Sequence, residues 1–213
     1  MNFASLFPPG VVAVSSETDV PEGTLFDAEA ALVRSAVAKR VREFSLGRLY
    51  AHMALRRLGM DDGPVLAGAH REPRWPPGVA GSITHCDGFC GVAVARAPIR
   101  GIGVDAERRG PLPDGVSGLI HTPAERRWLE TAATGNAADW AVLCFSAKES
   151  AYKCQFPFAG LLLEFTDIEI TLGDTPGEFI ANIYGPGDMP AELRILRGRY
   201  AIGVDHIYTA VIL

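Results

Sequence analysis

The sequence lacks the features that would place it in a membrane or a secretory pathway. No apolar stretch approaches the roughly 20 residues that a transmembrane helix needs, and Pro8, Pro9 and Gly10 interrupt the run near the N-terminus. The first residues also lack the basic segment that opens a secretory signal. We therefore expect a cytoplasmic protein with no membrane partner.

Positive charge and paired cysteines are also scarce. The chain has 20 Lys and Arg against 25 Asp and Glu, and a net charge of −5 argues against a general nucleic-acid binder. The four cysteines form no CxxC pair and no zinc-like grouping with histidine, which favours free thiols in a reducing compartment. The pattern GxxxxGK[ST] is absent, so the chain is not a P-loop enzyme.

The composition is that of an ordinary globular chain, and the N-terminal half predicts both strands and helices. The 213 residues suit one domain or two small halves. A strand at VVAVSS precedes two predicted helices, one over residues 24–43 and one that Ser45 caps and Gly59 ends. A Gly- and Pro-rich loop fills residues 61–79. The Asp87-Gly88 pair then predicts a hairpin, and a third strand, IRGIGVDAE, follows it.

The C-terminal half repeats this mixture. Thr122 as N-cap predicts a helix to about Ala133, with a break at Gly135-Asn136. A second helix covers about 138–154 and ends at Phe156-Pro157, before a strand-rich remainder in which Asp205-His206 indicates a hairpin turn. Hairpins at 81–95 and 199–213 predict two similar α/β halves, residues 1–106 and 107–213.

The stretch WAVLCFSAKESAYK, residues 140–153, carries the most chemical information. Glu149 and Lys153 lie four residues apart and so share one face of the predicted helix. GIGVDAE adds the carboxylates of Asp105 and Glu107, and GSITH adds His85. Carboxylate oxygens suit Mg²⁺, and a lysine and a histidine suit phosphate, so the set predicts a divalent-cation and phosphate site.

Two further groups of polar residues leave alternatives open. Arg48, His52 and Arg56 recur every four residues on the second helix and form either a solvated stripe or a binding face. In the 61–79 loop, Arg71 and Arg74 flank Glu72 and Pro73 beside Trp75, which indicates either a nucleotide contact or a surface turn. Spacing alone does not separate these interpretations.

GSITH, GVDAE and FSAKESAYK, in this order and spacing, resemble the 4′-phosphopantetheinyl transferases of the Sfp type. FSLGRLYAHMAL and REPRWPPG are similar to the siderophore-synthetase and mycobacterial-type branch, and the resemblance covers residues from about 43 to 160. It implies an α/β (α+β) fold of two similar pseudo-symmetric subdomains, with the active site in the cleft between them. It also implies transfer of 4′-phosphopantetheine from coenzyme A to a serine of an acyl or peptidyl carrier protein.

The same resemblance implies roles for individual residues. Asp105, Glu107 and Glu149 would bind Mg²⁺, or Mn²⁺, and Glu149 would also be the general base. Lys153 would stabilise the leaving nucleotide and His85 would hold phosphate oxygens. The rest of the coenzyme A site would comprise Arg48, Arg56, Arg71, Glu72, Pro73, Arg74, Ser82 and Thr84.

One departure and two alternative functions remain. Ala106 stands where some relatives carry a polar residue, so a water molecule would complete the metal coordination. The alternatives are a Mg²⁺-dependent phosphodiesterase or nucleotide hydrolase, in which the same groups activate water, and a non-catalytic coenzyme A-binding module. The carrier is expected to be acidic, and Arg126 and Arg127 form either a docking contact or a solvated helix face. Two halves in one chain are expected to make a complete site in a monomer.

Overall fold

The computed structural model of the chain describes residues 2–131, 137–185 and 189–213. Its helices are α1 Asp27–Leu32, α2 Ala38–Arg57, α3 Ser117–Ile120, α4 Pro123–Thr131 and α5 Ala137–Ala159. Its strands are β1 Val11–Ser15, β2 Leu66–Ala67, β3 Pro73–Arg74, β4 Val79–Cys86, β5 Phe89–Arg96, β6 Ile102–Arg108, β7 Ile168–Leu172, β8 Glu178–Ile183, β9 Ile195–Ile202 and β10 His206–Ile212. Short 3-10 turns cover Phe3–Leu6, Phe165–Asp167 and Ala191–Leu193. The predicted helix end near Ala133 and the break at Gly135-Asn136 lie outside the described residues.

The strands form two antiparallel sheets and one short hairpin. The first sheet has the order β1-β5-β4, the second has the order β6-β10-β9-β8-β7, and β2 pairs with β3. The Asp87-Gly88 turn joins β4 to β5 and residues 203–205 join β9 to β10, so both predicted hairpins are confirmed. Helix α2 packs on the first sheet and α5 on the second. The mixed helix and sheet class is confirmed, while the symmetry of the two halves stays a prediction.

Helix α2 corrects the prediction for residues 24–59. The prediction ended one helix at Glu43 and began another at Ser45, whereas one unbroken helix contains both residues. Gly47, in its middle, lies so close to β4 that an added Cβ would be 3.1 Å from Cγ2 of Ile83. Close packing on the sheet outweighs the low helix propensity of serine and glycine, so the chain stays helical.

Helix α5 also differs from its predicted end. It continues to Ala159 and includes Pro157, which was predicted to stop it. Proline in the last turn removes a single backbone hydrogen bond, which the helix tolerates. The stop is Gly160, whose φ of +62° suits a glycine and whose N–H donates to the Phe156 carbonyl at 2.8 Å.

Helix α4 begins as predicted. The Thr122 hydroxyl accepts the Glu125 N–H at 3.2 Å, and Oε2 of Glu125 accepts the Thr122 N–H at 2.7 Å. Pro123 occupies the first helical position, where a missing N–H costs little. The predicted capping box is therefore confirmed.

Two hydroxyl groups on β4 connect the sheets by hydrogen bonds to β6. Oγ of Ser82 accepts the Val104 N–H at 3.1 Å, and Oγ1 of Thr84 accepts the Ala106 N–H at 2.9 Å. These side chains satisfy buried backbone donors that would otherwise lose water without a replacement. The predicted division at residue 106 lies inside β6 and stays a prediction.

Two further predictions concern the thiols and the membrane-spanning potential of the helices. The four cysteines are free, and Cys90, Cys144 and Cys154 are buried. The reducing compartment stays a prediction. Among the helices of the described ranges, none is long and apolar enough to cross a membrane.

Candidate active site

A cleft of about 560 Å³ is lined by α2, the β2–β3 hairpin, β4 and the C-terminal half of α5. Both halves of the chain therefore contribute side chains to it. Of the residues predicted for the coenzyme A site, the lining includes Arg48, Arg71, Glu72, Pro73, Ser82, His85, Glu149 and Lys153.

The three residues of the predicted stripe on α2, Arg48, His52 and Arg56, lie in three different environments. Arg48 lines the cleft, but the exposed Arg56 is directed to Asp62, with 3.2 Å between its guanidinium and the carboxylate. His52 is buried and lies 2.8 Å from Oε1 of Glu29, which is fully buried. The cleft borders only the N-terminal half of α2, from Arg40 to Arg48, so of the three stripe residues Arg48 alone reaches it.

Arg48 is a buried cation. Its side chain is 6% exposed, and its guanidinium carbon lies 4.4 Å from the ring centre of Phe44. Burial lowers its pKa to about 10, against the opposing effect of Glu29, so it remains protonated at neutral pH. Its Nε has no hydrogen-bond partner within the described chain. A desolvated, incompletely paired guanidinium beside a cleft suits an anionic ligand.

Arg40 is a cleft residue that the sequence analysis missed. It lies on the other side of Phe44 from Arg48 along α2, and its guanidinium carbon is 6.0 Å from that ring. The spacing of Arg40, Phe44 and Arg48 is i, i+4, i+8, which places all three on one helical face. The signal was present but was hidden by the predicted helix break at Ser45.

The β2–β3 hairpin holds its arginine in an unusual backbone conformation. Arg71 has a φ of +69°, a region that residues other than glycine rarely adopt. The carboxylate of Glu72 accepts the His70 N–H at 2.9 Å, which fixes the turn, so this predicted ligand residue also shapes the loop. The His70 ring packs edge-on against the ring of Phe156 on α5, with 5.4 Å between the ring centres. The hairpin therefore spans the cleft. Arg74, also predicted for the site, is exposed and outside the cleft lining of the described chain.

Trp75 forms an apolar part of the cleft wall. It packs over Gly81 so closely that an added Cβ there would lie 2.6 Å from Cε2 of the indole. The indole N–H is buried and has no acceptor within the described chain. Trp75 therefore offers a flat face and an available donor, which suits a heteroaromatic ring with acceptor atoms.

A lysine and two carboxylates meet beside β6. Nζ of Lys153 donates to Oδ1 of Asp105 at 2.6 Å and lies 3.7 Å from Oε2 of Glu149. Burial opposes the charged lysine, but Asp105 and Glu149 outweigh it and raise its pKa. Burial also raises the pKa of Glu149, with Asp105 adding to the shift and Lys153 opposing it. The predicted juxtaposition of GVDAE and FSAKESAYK is therefore present in the structure.

The carboxylates have the chemistry of a hard-cation site. Burial raises the pKa of Glu107 to about 7, and the charge of Asp105 adds to the effect. Oδ2 of Asp105 is buried and has no hydrogen-bond partner within the described chain. A cation would satisfy that oxygen and relieve the crowding of negative charge. Within the described ranges no group of three Asp, Glu, His or Cys is already arranged as a metal site, and Lys153 neutralises Asp105 and Glu149 instead.

Ser82, Thr84 and His85 follow each other along β4 but differ in setting. Ser82 lines the cleft, whereas Thr84 is 2% exposed and its hydroxyl is used by Ala106 and Asp105. His85 is exposed and also lines the cleft; partial desolvation lowers its pKa, which Glu43 opposes. Thr84 thus supports β6 from behind the cleft wall, while Ser82 and His85 face the cleft.

Two sequence profiles of one family together match most of the chain. The profile described as 4′-phosphopantetheinyl transferase N-terminal domain matches residues 28–95, and the profile described as 4′-phosphopantetheinyl transferase superfamily matches residues 101–205. The chain belongs to the 4′-phosphopantetheinyl transferase family.

Individual relatives extend over the same range. The 4′-phosphopantetheinyl transferase Svp of Streptomyces mobaraensis is 43% identical over 215 residues, covering 98% of this chain and 87% of Svp. The 4′-phosphopantetheinyl transferase PptT of Mycobacterium tuberculosis is 37% identical over 220 residues, covering 99% of this chain and 91% of PptT. A crystal structure of Thermotoga maritima holo-[acyl-carrier-protein] synthase has a TM-score of 0.41 and 19% sequence identity. The match covers 54% of this chain and 63% of the synthase. The resemblance to the Sfp-type and mycobacterial branch is confirmed by Svp and PptT.

Proposed function

We propose that the protein transfers 4′-phosphopantetheine from coenzyme A to a serine of an apo carrier protein, which yields the holo carrier and adenosine 3′,5′-bisphosphate. The observation that carries the proposal is the contact of Lys153 with both Asp105 and Glu149 at a cleft that also contains the buried Arg48. A nucleotide substrate needs cationic and aromatic contacts, and its reacting phosphorus needs charge neutralisation. Membership in the transferase family supports the same reaction.

Arg48 and Arg40 bind the 3′-phosphate in this proposal. They replace the predicted pair of Arg48 and Arg56, because Arg56 lies outside the cleft lining and faces Asp62. Both arginines flank Phe44, and Arg48 has an unpaired Nε. Trp75 offers its ring face to the adenine, and Arg71 adds a further positive charge on the hairpin. The remaining predicted coenzyme A residues of the lining keep their proposed roles as contacts.

Glu149 and Lys153 carry the chemical step. The serine oxygen attacks the phosphorus that bears the pantetheine group, and the bond from that phosphorus to the bridging pyrophosphate oxygen breaks. The serine proton passes to the carboxylate of Glu149, whose side chain is 28% exposed and therefore open to a hydroxyl group. Lys153 stabilises the negative charge that develops on the leaving adenosine 3′,5′-bisphosphate, and His85 holds phosphate oxygens.

Asp105, Glu107 and Glu149 would hold the divalent cation, Mg²⁺ or Mn²⁺. When bound, the cation supplies charge neutralisation at the pyrophosphate. The unpaired Oδ2 of Asp105 supports this assignment. Ala106 is fully buried between two of the carboxylates and adds no ligand, so water would complete the coordination.

The proposed partner is an acidic carrier protein or carrier domain of a fatty-acid, polyketide, nonribosomal-peptide or siderophore synthase, with no nucleic acid or membrane involved. Both halves of the chain contribute to the cleft, and a monomer is the proposed functional unit. Free cysteines and a net charge of −5 support a cytoplasmic protein that does not bind nucleic acid. Arg126 and Arg127, both exposed on α4, are candidate contacts for the acidic carrier.

One incubation tests the proposal against its alternatives. The protein is mixed with coenzyme A, Mg²⁺ and a panel of apo carrier proteins, and the carriers are analysed by intact mass. A mass increase of one phosphopantetheine on a serine is the expected result. Free phosphopantetheine without carrier modification would instead identify a hydrolase, and coenzyme A binding without any product would identify a binding module.

A further inference from the structure

Lys148, beside Glu149 on α5, is a fully buried charge that the proposed chemistry leaves without a role. Its Nζ donates to Oε2 of Glu125 at 2.7 Å, to the Ile120 carbonyl at 2.7 Å and to the Phe165 carbonyl at 3.0 Å. An ammonium group has three protons, so each one has an acceptor. One side chain thereby connects α5 with the end of α3, the first turn of α4 and the 3-10 turn before β7.

The partner carboxylate is held as firmly as the lysine. Glu125 is 2% exposed, and besides Lys148 it accepts the Thr122 N–H at 2.7 Å and the Ile170 N–H at 2.7 Å. Removing two charges from water costs more than apolar packing of the same volume would, so such a pair is weak evidence for stability. The geometry that the pair imposes on neighbouring backbone is therefore the effect to consider.

Part of that backbone lines a cavity other than the coenzyme A cleft. A second cavity, of about 200 Å³, is lined by Lys148, Glu149, Tyr152, Leu163, Glu164, Phe165 and Ile168. Glu149 and Tyr152 also line the large cleft, so the two cavities meet at the proposed base. The Phe165 carbonyl that Lys148 holds thus belongs to the wall that faces Glu149 from the second cavity.

We propose that Lys148 is a positioning residue, which fixes the Ile120 and Phe165 carbonyls and so sets residues 163–168 at the distance from Glu149 that the acceptor serine needs. Lys148 touches neither substrate, and it acts through the second cavity and not through the nucleotide cleft. The inference rests on the proposed function, because it assigns the second cavity to the side from which the carrier approaches.

Three variants separate positioning from simple stability. Lys148→Met removes all three hydrogen bonds and leaves Glu125 unpaired, so it destabilises the fold. Glu125→Gln with Lys148→Met removes both charges and is expected to regain part of the stability, because the amide oxygen can still accept one of the Thr122 and Ile170 N–H groups. Glu125→Gln alone keeps the lysine bonds to Ile120 and Phe165 and is the matched control.

The double variant is expected to lose activity with the carrier but to keep its affinity for coenzyme A. With a carrier as substrate, kcat/KM of the double variant falls about tenfold or more, as misplacement of reacting groups does, while its coenzyme A affinity by calorimetry stays unchanged. For Glu125→Gln, the melting temperature should fall while the turnover number stays at the wild-type value. The proposal is overturned if the double variant recovers both stability and turnover, if coenzyme A affinity falls in parallel, or if the double variant cannot fold.

A failure of the proposed function gives a different result. If the wild-type protein modifies no carrier in the panel, the transferase proposal fails irrespective of Lys148. Amide hydrogen exchange then tests the positioning role. Compared with the wild type, the double variant should exchange its amide protons faster at residues 163–168 and at the same rate in α2. Equal exchange at residues 163–168 would refute that role.

Discussion

Thr84 Oγ1 accepts the backbone N–H of Ala106 at 2.9 Å, and the same hydroxyl lies 3.4 Å from Oδ1 of Asp105. A residue of the first sheet therefore fixes both the backbone and the carboxylate of the strand that carries the proposed metal ligands. Oδ1 of Asp105 also accepts from Lys153, so three elements converge on one oxygen. The alignment of the two halves and the geometry of the acidic site depend on the same hydrogen bonds.

Thr84→Val tests this coupling. Valine keeps the shape but leaves the Ala106 N–H buried without an acceptor, so the free energy of unfolding should fall by about 1–3 kcal/mol. Chemical denaturation measures the loss, and carrier modification should fall because β6 shifts. Thr171→Val, at an exposed position of β7, is the control and should change stability little. Equal stabilities of the two variants would contradict the role of Thr84.

Glu149→Gln should abolish carrier modification and leave the fold intact. The amide has nearly the same shape but cannot accept the serine proton, so the rate should fall by about 10²–10⁴. Intact-mass assays of the carrier measure the rate, and circular dichroism checks the fold. Asp105→Asn should be similarly inactive, since it loses a charge that Lys153 and the proposed cation both use. Near-normal turnover of purified Glu149→Gln would eliminate the proposed base.

Arg48 and Arg56 provide a matched pair for the 3′-phosphate. Arg48→Ala should weaken coenzyme A binding by about tenfold or more, because it removes a desolvated cation from a phosphate. Binding of 3′-dephospho-coenzyme A should change much less. Arg56→Ala, which removes an exposed residue outside the cleft, should alter neither affinity in calorimetry. If Arg56→Ala behaved as Arg48→Ala does, the assignment of the cleft would be wrong.

The residues of the site differ in how far sequence could predict them. Glu149 and Lys153 follow from helical periodicity, and Asp105 and Glu107 from their place at the end of a predicted strand, because both signals are local. Arg40 was missed because helix α2 continues through Ser45 and Gly47, and packing on the first sheet favours that continuity. The setting of Thr84 and the burial of Lys148 depend on contacts with segments far away in sequence, on which local patterns carry no information.

Gly81→Ala tests the role of Trp75. The new Cβ would lie 2.6 Å from the indole, so the ring must move out of its place in the cleft wall. Coenzyme A affinity should fall by about tenfold, or about 1.4 kcal/mol, and tryptophan fluorescence should change. Gly63→Ala is the control, since nothing lies within 4 Å of its added Cβ. Unchanged fluorescence and affinity in Gly81→Ala would show that Trp75 does not contribute to the site.

His121 should make the protein less stable as the pH falls below about 6.5. Its ring is fully buried between the Ser117 hydroxyl at 2.9 Å and the Ala141 carbonyl at 3.1 Å. Burial lowers its pKa, which the hydrogen bond to Ala141 and the charge of Glu125 oppose, while Lys148 adds to the lowering. The unfolded chain therefore takes up the proton first, so stability is present above pH 6.5 and is lost as the pH falls, by at most about 1.4 kcal/mol per pH unit.

His121→Gln should be less stable than the wild type at pH 8 but should lose less stability between pH 7.5 and 5.5. The measurement is the free energy of unfolding by urea at each pH. Glu107, whose pKa is raised by burial to about 7, gives a slope of the opposite sign. Because Glu107 and the lowered pKa of His85 are common to both proteins, the difference between the two curves isolates His121. Parallel curves would mean that His121 takes up its proton equally in the folded and unfolded states.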